Sequence, residues 1–406
     1  TRREDGNIKQ AFASADEVIE RTYHSPFLPH NCLEPMNFYA DVKADKIHLV
    51  GPTQTPAWAQ GMIAAAYKVK PEQIHIEMTR MGGGFGRRLY YDFLLEAAEI
   101  SSVINKPVKV VFSREDDMTA GTYRPAIKYR IKASLKDGRV TGYHLKEAAI
   151  NSNMYGLIPN FFPAGCIPNY KVDSGNYKSN ITTGAWRAPY TNFLAFAEQS
   201  FFDELANALE VDPIQLRLDL LQNVKNTSDN RIEYSGQRMQ DTIRLVRNKA
   251  NWNNVAAGIY QGFAAYYSHN THVAEIADVV LKDGLPVIKK VTVAVDCGVV
   301  VNPTGAINQI QGGVLDGIGH AMYSDFSFDK GKPNFKNFDR YRLIRMQETP
   351  QVEVHFVKND IKPTGLGEPG LPPAGGAVAN AIHAALGKRL YRQPFIKDLK
   401  KSTVLG

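Results

Sequence analysis

Thr364-Gly365-Leu366-Gly367-Glu368-Pro369-Gly370-Leu371-Pro372-Pro373 sets a single carboxylate among residues that restrict or contort the backbone, and an alanine-rich helical stretch, Ala374 to Leu386, follows directly. Glycine admits φ > 0 and the close approach of a partner, proline fixes φ, and Pro372 or Pro373 suits the first turn of the helix behind them. Such a run holds an acid or base still. Glu368 is therefore the first candidate for catalysis, against the plain alternative of a solvated loop glutamate.

Three further runs keep it company. Met81-Gly82-Gly83-Gly84-Phe85-Gly86-Arg87-Arg88 lies between a strand pattern and a helix pattern. Successive N–H groups there can form an anion- or oxo-binding nest backed by a helix N-terminus. A dinucleotide fingerprint would need glycine where Arg87 stands, and a P-loop would need Gly-Lys before Ser or Thr, so both familiar nucleotide motifs fail. Thr183-Gly184-Ala185-Trp186-Arg187-Ala188-Pro189-Tyr190 places an arginine among rigid and aromatic neighbours. Arg187 can orient a substrate oxygen or stabilise developing charge, or it can be a salt-bridged core residue. In Asp296-Cys297-Gly298-Val299-Val300-Val301-Asn302-Pro303 a strand gives way to a helix with Asn302 as N-cap and Pro303 at its first position. That helix carries Gln309 and Gln311, and Gly305, Gly312 and Gly319 recur every seven residues on one face. A neighbouring helix or a flat cofactor would each explain that face.

Composition sets wide bounds. The 406 residues, 44% hydrophobic and 22% charged, suit a globular chain of two or more domains. The net charge of +7 is spread along the chain apart from Lys397, Lys400 and Lys401, and no basic stripe interleaved with aromatics argues for nucleic acid. No run of 18 apolar residues suggests a membrane span, and Thr1-Arg2-Arg3-Glu4-Asp5 opens without the apolar run of a signal peptide. Cys32, Cys166 and Cys297 are too far apart to build an iron–sulfur site by themselves.

Periodicity predicts strands over Lys46–Gly51, Gln73–Arg80 and Val108–Phe112, and helices over Thr55–Tyr67, Leu89–Ile104 and Phe196–Leu221, the last restarting at Asp212-Pro213. Leu135-Lys136-Asp137-Gly138 and Leu281-Lys282-Asp283-Gly284 read as matching hairpin turns. His30-Asn31 and His269-Asn270 add to a faint internal likeness that suggests a duplication. The resulting fold class is α+β, a mixed α/β arrangement of two related lobes with mixed sheets flanked by helices. The first lobe spans 1–225, a connecting segment 226–254, and the second lobe, with Glu368, 255–406. The polar stretch from Asn223 to Ser235 is the expected boundary.

Taken in order, these four runs make the chain resemble the molybdenum-binding catalytic subunit of the xanthine oxidase family of molybdenum hydroxylases. Within that family it is most similar to the isoquinoline oxidoreductase large subunit and to bacterial membrane-bound aldehyde dehydrogenases. Asn337-Phe338-Asp339-Arg340-Tyr341-Arg342 and the tail from Glu368 to Arg389 strengthen that likeness. The family's frequent glutamine ahead of a histidine has no counterpart in His24 to Met36, which favours the isoquinoline-type branch.

The resemblance implies molybdopterin, in its cytosine dinucleotide form, with the molybdenum held by the pterin and no protein side chain as metal ligand. Gly83, Gly84, Phe85, Gly86, Arg87 and Gly367 would contact the cofactor, and Gln309 and Gln311 would hold the pterin or its phosphates. Glu368 would be the general base, assisted by Arg187, in hydroxylation of an N-heterocycle or oxidation of an aldehyde with oxygen from water. Partial burial would bring the Glu368 pKa toward neutrality. Iron–sulfur clusters would lie on a small partner subunit. The resemblance also allows a membrane-associated electron acceptor and a periplasmic location. The competing reading is a cofactor-free binding or scaffold fragment of the same fold, in a chain shorter than a full catalytic subunit.

Overall fold

The structure is a computed structural model that describes residues 1–151, 158–224 and 229–402, with side chains as far as Leu399. Asp137-Gly138 and Asp283-Gly284 take φ of 49° and 68° and of 52° and 72°. This is the paired left-handed geometry whose twist matches that of adjoining strands. The first turn joins β7 (Ile127–Lys136) to β8 (Arg139–Ile150), and the second joins β11 (Thr271–Lys282) to β12 (Leu285–Asp296). Each hairpin gains an antiparallel strand on one side, β2 (Glu17–Ser25) or β10 (Tyr260–Ser268). Each gains a parallel strand on the other, β9 (Asn169–Tyr177) or β15 (Gln351–Phe356). Both hairpins also slip register shortly before the turn, at Ser134/Leu135 and at Asp278/Val279. The two large sheets thus share one plan, with β1 (Arg3–Asp5) added at the edge of the first beside β9.

His30-Asn31 and His269-Asn270 both follow the first strand of this plan. In the second sheet His269-Asn270 is itself the two-residue turn from β10 to β11, with φ of 51° and 62°. In the first sheet the chain leaves after β2 and builds a third sheet before it returns to β7. That sheet has the order β5 (Ile74–Met78), β4 (Ile47–Gly51), β3 (Asn37–Val42), β6 (Val108–Val111). Phe38, Ala40, Ile47, Leu49 and Ile74 alternate inward from its strands, and α2 (Pro56–Tyr67) and α3 (Asp92–Ile104) cover them with Ile63, Phe93 and Leu94.

The expected elements of this region stand within a few residues, with one instructive break. The helix expected from Leu89 begins at Asp92, because Arg87–Leu89 forms a separate 3₁₀ turn and Tyr90 is extended. Tyr90 uses its hydroxyl to accept from the Ala185 amide at 2.5 Å, which ties it to the second motif instead of to a helix.

A central helix, α5 (Thr191–Ala208), holds the two large sheets together. It is buried on nearly every side and packs Phe196 against Tyr23 and Phe202 flat on Tyr143 at 5.6 Å. Its Glu198 accepts from Tyr143 of β8 at 3.0 Å and from Tyr266 of β10 at 2.8 Å, and burial pushes its pKa up to about 7. The expected start at Phe196 therefore falls inside the helix, whose continuation after Glu210 is α6 (Pro213–Val224). The boundary at 225 lies among residues outside those described. Beyond them, α7 (Gly236–Lys249) lies on the second large sheet, with Arg238 gripping Asp296 of β12 at 2.8 Å.

The smaller elements are α1 (Ile8–Ala13), α4 (Arg114–Thr119), the short hairpin β13 (Phe328–Asp329) and β14 (Lys332–Pro333), and the C-terminal α10 (Ile396–Ser402). Two long helices frame the rest of the second half, α8 (Pro303–Met322) and α9 (Pro372–Leu386). Small residues let α9 lie close to its neighbours. A Cβ on Gly376 would stand 2.6 Å from Gln199 of α5, and one on Gly262 of β10 would stand 2.0 Å from the Ala381 amide nitrogen.

The clash at Gly262 is with backbone, and its own φ is ordinary, so Gly262→Ala tests packing alone. Overpacking typically costs about 1–3 kcal/mol and more where backbone must move. We expect Gly262→Ala to lower unfolding free energy by about 3 kcal/mol or more in urea, and an unchanged midpoint would contradict this close contact.

Candidate active site

Glu368 stands just before α9, where the two prolines start the helix and the glycines before it leave room for partners. Its carboxylate is gripped from both sides. Oε1 accepts from the Ala188 amide at 2.9 Å, and Oε2 pairs with His269 Nε2 at 2.7 Å. Behind the imidazole, Nδ1 meets Ser268 Oγ at 2.7 Å, and Ser268 meets Thr191 Oγ1 at 2.9 Å. Burial alone would raise the carboxyl pKa, but the His269 contact, the Ala188 N–H and the Arg187 charge outweigh it and hold Glu368 below its usual range. The expected drift toward neutrality is thus corrected: the partners win over desolvation.

The backbone around this carboxylate is unusual in a consistent way. Phe85, Ala188, Tyr190 and His269 all adopt φ between 51° and 65° without being glycine. Left-handed non-glycine residues cost energy and gather where a surrounding structure enforces them, typically at functional sites. His269 is a telling case, since its turn position ordinarily takes Asn, Asp or Gly.

The glycine loop supplies the opposite wall. Gly83, Phe85 and Gly86 have φ of 102°, 51° and 102° while Gly84 does not, so the backbone changes hand on either side of Gly84, as in a nest. Gly86 must remain bare, since a Cβ would stand 2.3 Å from the Ala185 carbonyl oxygen. Its amide is already bonded to Gln54 Oε1 at 3.2 Å, so among the loop residues expected to contact the cofactor its N–H is turned to protein. Among the described residues the Gly84 and Phe85 amides have no such acceptor.

Arg187 is packed over the Phe85 ring at 5.7 Å and bonds Asp316 at 3.1 Å, with weaker contacts to the carbonyls of Gly312 and Gly367. The salt-bridged alternative describes it, and its guanidinium ties the second motif to α8 and to the Glu368 loop. Gln309 reaches the same Gly367 carbonyl at 2.6 Å.

Two expected cofactor contacts are corrected. Gln311 bonds the Val352 carbonyl of β15 at 3.0 Å, facing away from Gln309, because residues two apart on a helix point to different sides. Arg87 is buried and bidentate to Asp92 at 2.8 and 2.6 Å, so it anchors the N-terminus of α3. Arg88, not singled out in the sequence, holds the loop from beneath through Gly83 O and Glu34 O, each at 2.8 Å. His269, Asp316 and Gln54 were also missed. The repeated His-Asn pair was visible, but only the hairpin shows that it aims an imidazole at Glu368.

Beside these residues lies a cavity of about 480 Å³ lined by Phe85, Arg187, Gln309, Gly312, Asp316 and His320. A second, of about 310 Å³, also borders Gln309 and extends to Asn302 at the start of α8. Gly312 has nothing within 4 Å of a would-be Cβ, so that part of the glycine face opens on the cavity, while Gly313 and Gly317 pack on Gly370, Leu371 and Ala374.

Residues 1–221 match the profile of a molybdopterin cofactor-binding domain, and residues 200–350 match a second molybdopterin cofactor-binding domain. The chain belongs to the molybdopterin-binding subunits of the xanthine oxidase family. It is 29% identical over 430 residues to isoquinoline 1-oxidoreductase subunit beta of Brevundimonas diminuta, covering 98% of this chain and 53% of that protein. It is 26% identical over 426 residues to a membrane-bound aldehyde dehydrogenase (pyrroloquinoline-quinone) of Gluconacetobacter polyoxogenes, covering 96% and 55%. The chain thus spans about half the length of these relatives. The structure of quinoline 2-oxidoreductase from Pseudomonas putida 86 superposes with a TM-score of 0.86 at 13% identity, over 100% of this chain and 78% of that one. That likeness establishes the α+β fold.

The residues present fit a molybdopterin. The first cavity offers the Phe85 wall, the Gln309 side chain and the open face of α8 at Gly312, and the second reaches a helix N-terminus suited to phosphate.

The Glu368 seat makes a pH-dependent prediction for this molybdopterin-binding chain. A carboxyl held below its unfolded value of about 4.3 contributes stability above that pH and loses the contribution as pH falls through the folded value. We expect His269→Ala to raise the Glu368 pKa toward the ordinary range, read by carbon-13 NMR of the labelled carboxyl. An unshifted titration would mean that His269 does not hold the base.

Proposed function

We propose that the chain forms part of the catalytic subunit of a molybdenum hydroxylase. Such an enzyme hydroxylates an electrophilic carbon of an N-heterocycle, of isoquinoline type, or oxidises an aldehyde, with oxygen from water. One observation carries this reading: Glu368 is not loose but held between the Ala188 N–H and His269, and the carbonyl of its neighbour Gly367 is bonded to Arg187 and Gln309, which line the cavity. When bound, molybdopterin with its molybdenum supplies the two-electron acceptor for the substrate carbon.

The protein's own part is to bind, orient and move a proton. Glu368 takes up the proton released as oxygen passes from water to carbon, and each of its oxygens keeps a lone pair beyond the bond it already accepts. The low pKa ensures that the base is ionised before substrate arrives. Closure of the site over an apolar substrate would strip water from the carboxylate and strengthen it as a base at that moment. Arg187 acts by position, since the carbonyl it holds belongs to Gly367, the residue before the base. The amides of Gly84 and Phe85 and the side chain of Gln309 would hold the cofactor, and the run of cavities along α8 supports the longer cytosine dinucleotide form.

Cys32, Cys166 and Cys297 are each buried and unpaired. The reading therefore places iron–sulfur clusters on a small partner subunit, which takes electrons onward to an acceptor at a membrane.

Glu368→Gln keeps size and most hydrogen bonding but removes the basic oxygen. General-base assistance is worth on the order of 100- to 10,000-fold, so single-turnover reduction by substrate should slow by at least that lower bound at unchanged molybdenum content. Reduction within about tenfold of the wild-type rate would remove Glu368 from this role.

A further inference from the structure

The third sheet turns one face inward and leaves the other to solvent. On β4, Ile47 and Leu49 point to the core and His48 between them points out. On β5, Ile74 and Ile76 point in, and His75 and Glu77 point out. The two strands are parallel, with His48 opposite His75 in register. Backbone pairing therefore sets two imidazoles and a carboxylate side by side on one exposed patch. The imidazole centroids are 5.3 Å apart and inclined by 33°, and His48 Nε2 lies 3.8 Å from Glu77 Oε2. One donor atom from each of the three can be chosen so that all lie within 4.8 Å of one another.

We propose that His48, His75 and Glu77 form a binding site for a divalent transition ion of the zinc class, on the sheet face opposite α2 and α3. At 3.8 Å the histidine and carboxylate are too far apart for a hydrogen bond, so they do not satisfy one another. Around a tetrahedral ion with bonds of about 2.0–2.1 Å, neighbouring donors stand about 3.3 Å apart. Donors that now lie within 4.8 Å must close by up to about 1.5 Å, a distance that rotation of exposed side chains can supply. Two imidazoles with one carboxylate select zinc, nickel, cobalt or copper over magnesium and calcium, which prefer all-oxygen shells. Three protein ligands also leave a coordination position for water or a partner's side chain.

The position gives the ion a consequence. β5 is an edge strand, held on one side only, and after Met78 the chain runs through Thr79 and Arg80 into the glycine loop at Met81. An ion shared by His48 with His75 and Glu77 clips that edge to β4 and steadies the strand that feeds the loop. This inference uses none of the residues around Glu368 and stands apart from the hydroxylase reading.

The test is titration of the purified protein with zinc against a chromogenic chelator, with molybdenum content held constant. We expect one ion per chain to compete at micromolar concentration, and removal of either imidazole in His48→Ala or His75→Ala to weaken it on the order of 100-fold. Glu77→Gln should weaken it less, since one carboxylate is lost and both imidazoles remain. In the unsubstituted protein, zinc should shift the ring resonances of His48 and His75 and slow amide exchange in β5. Zinc uptake that survives both alanine substitutions, or no shift of these two rings at millimolar zinc, would overturn the site.

Discussion

The Glu368 carboxylate is the junction on which the site depends. One oxygen is bound to the amide that follows Arg187, and the other to the imidazole at the tip of the β10–β11 hairpin. Three segments far apart in the chain converge on one charged group. Neither contact could persist if the loop before α9 were free to swing. The glycines and prolines of that loop matter because they bring Glu368 to this point, and because the Gly367 carbonyl can then accept from both Gln309 and Arg187. Arg187 in turn bonds Asp316, which also pairs with His320 at 2.9 Å on the next turn of α8. The charges are thus paid out along a chain of short contacts in which each buried ion has a partner, as burial of charge demands.

The architecture behind the junction explains how such separated residues meet. Two sheets of the same plan are clasped around α5, and their hairpins and crossovers deliver Ala188, His269 and Gln309 to one place. The third sheet, inserted where the first plan would otherwise turn directly from β2 to β7, carries the glycine loop into the same space. Tyr90 fastens that insertion to the second motif by accepting from the Ala185 amide. The left-handed backbone at Phe85, Ala188, Tyr190 and His269 is the local cost of assembling a site from loop tips, and the packed sheets beneath offset it.

Local order was legible in the sequence because local rules govern it. The Asp-Gly turns, the Asn302 cap, the helix opened by Pro372 and Pro373, and the alternation of β4 are each decided within a few residues. Glu368 and the glycine loop stood out because so many glycines and prolines in a short run are costly to order. The failures have equally physical sources. Gln311 was paired with Gln309 on the strength of the resemblance, although the helical period sets them on different faces. Arg87 looked available for a ligand, although an acid five residues on takes both of its terminal nitrogens. The pKa of Glu368 could not be read at all, since it depends on His269, whose approach is a matter of tertiary structure.

The central claim is that Glu368 is held in place by Ala188 and His269 rather than exposed on a mobile loop. Amide hydrogen exchange at Ala188 measures this directly, because the Glu368 carboxylate is the acceptor for that N–H. In Glu368→Ala the Ala188 amide should exchange at least about tenfold faster, while the Asn192 amide, which bonds the Ala188 carbonyl at 2.9 Å, keeps its protection. An Ala188 amide that exchanges equally fast with and without the carboxylate would contradict the account.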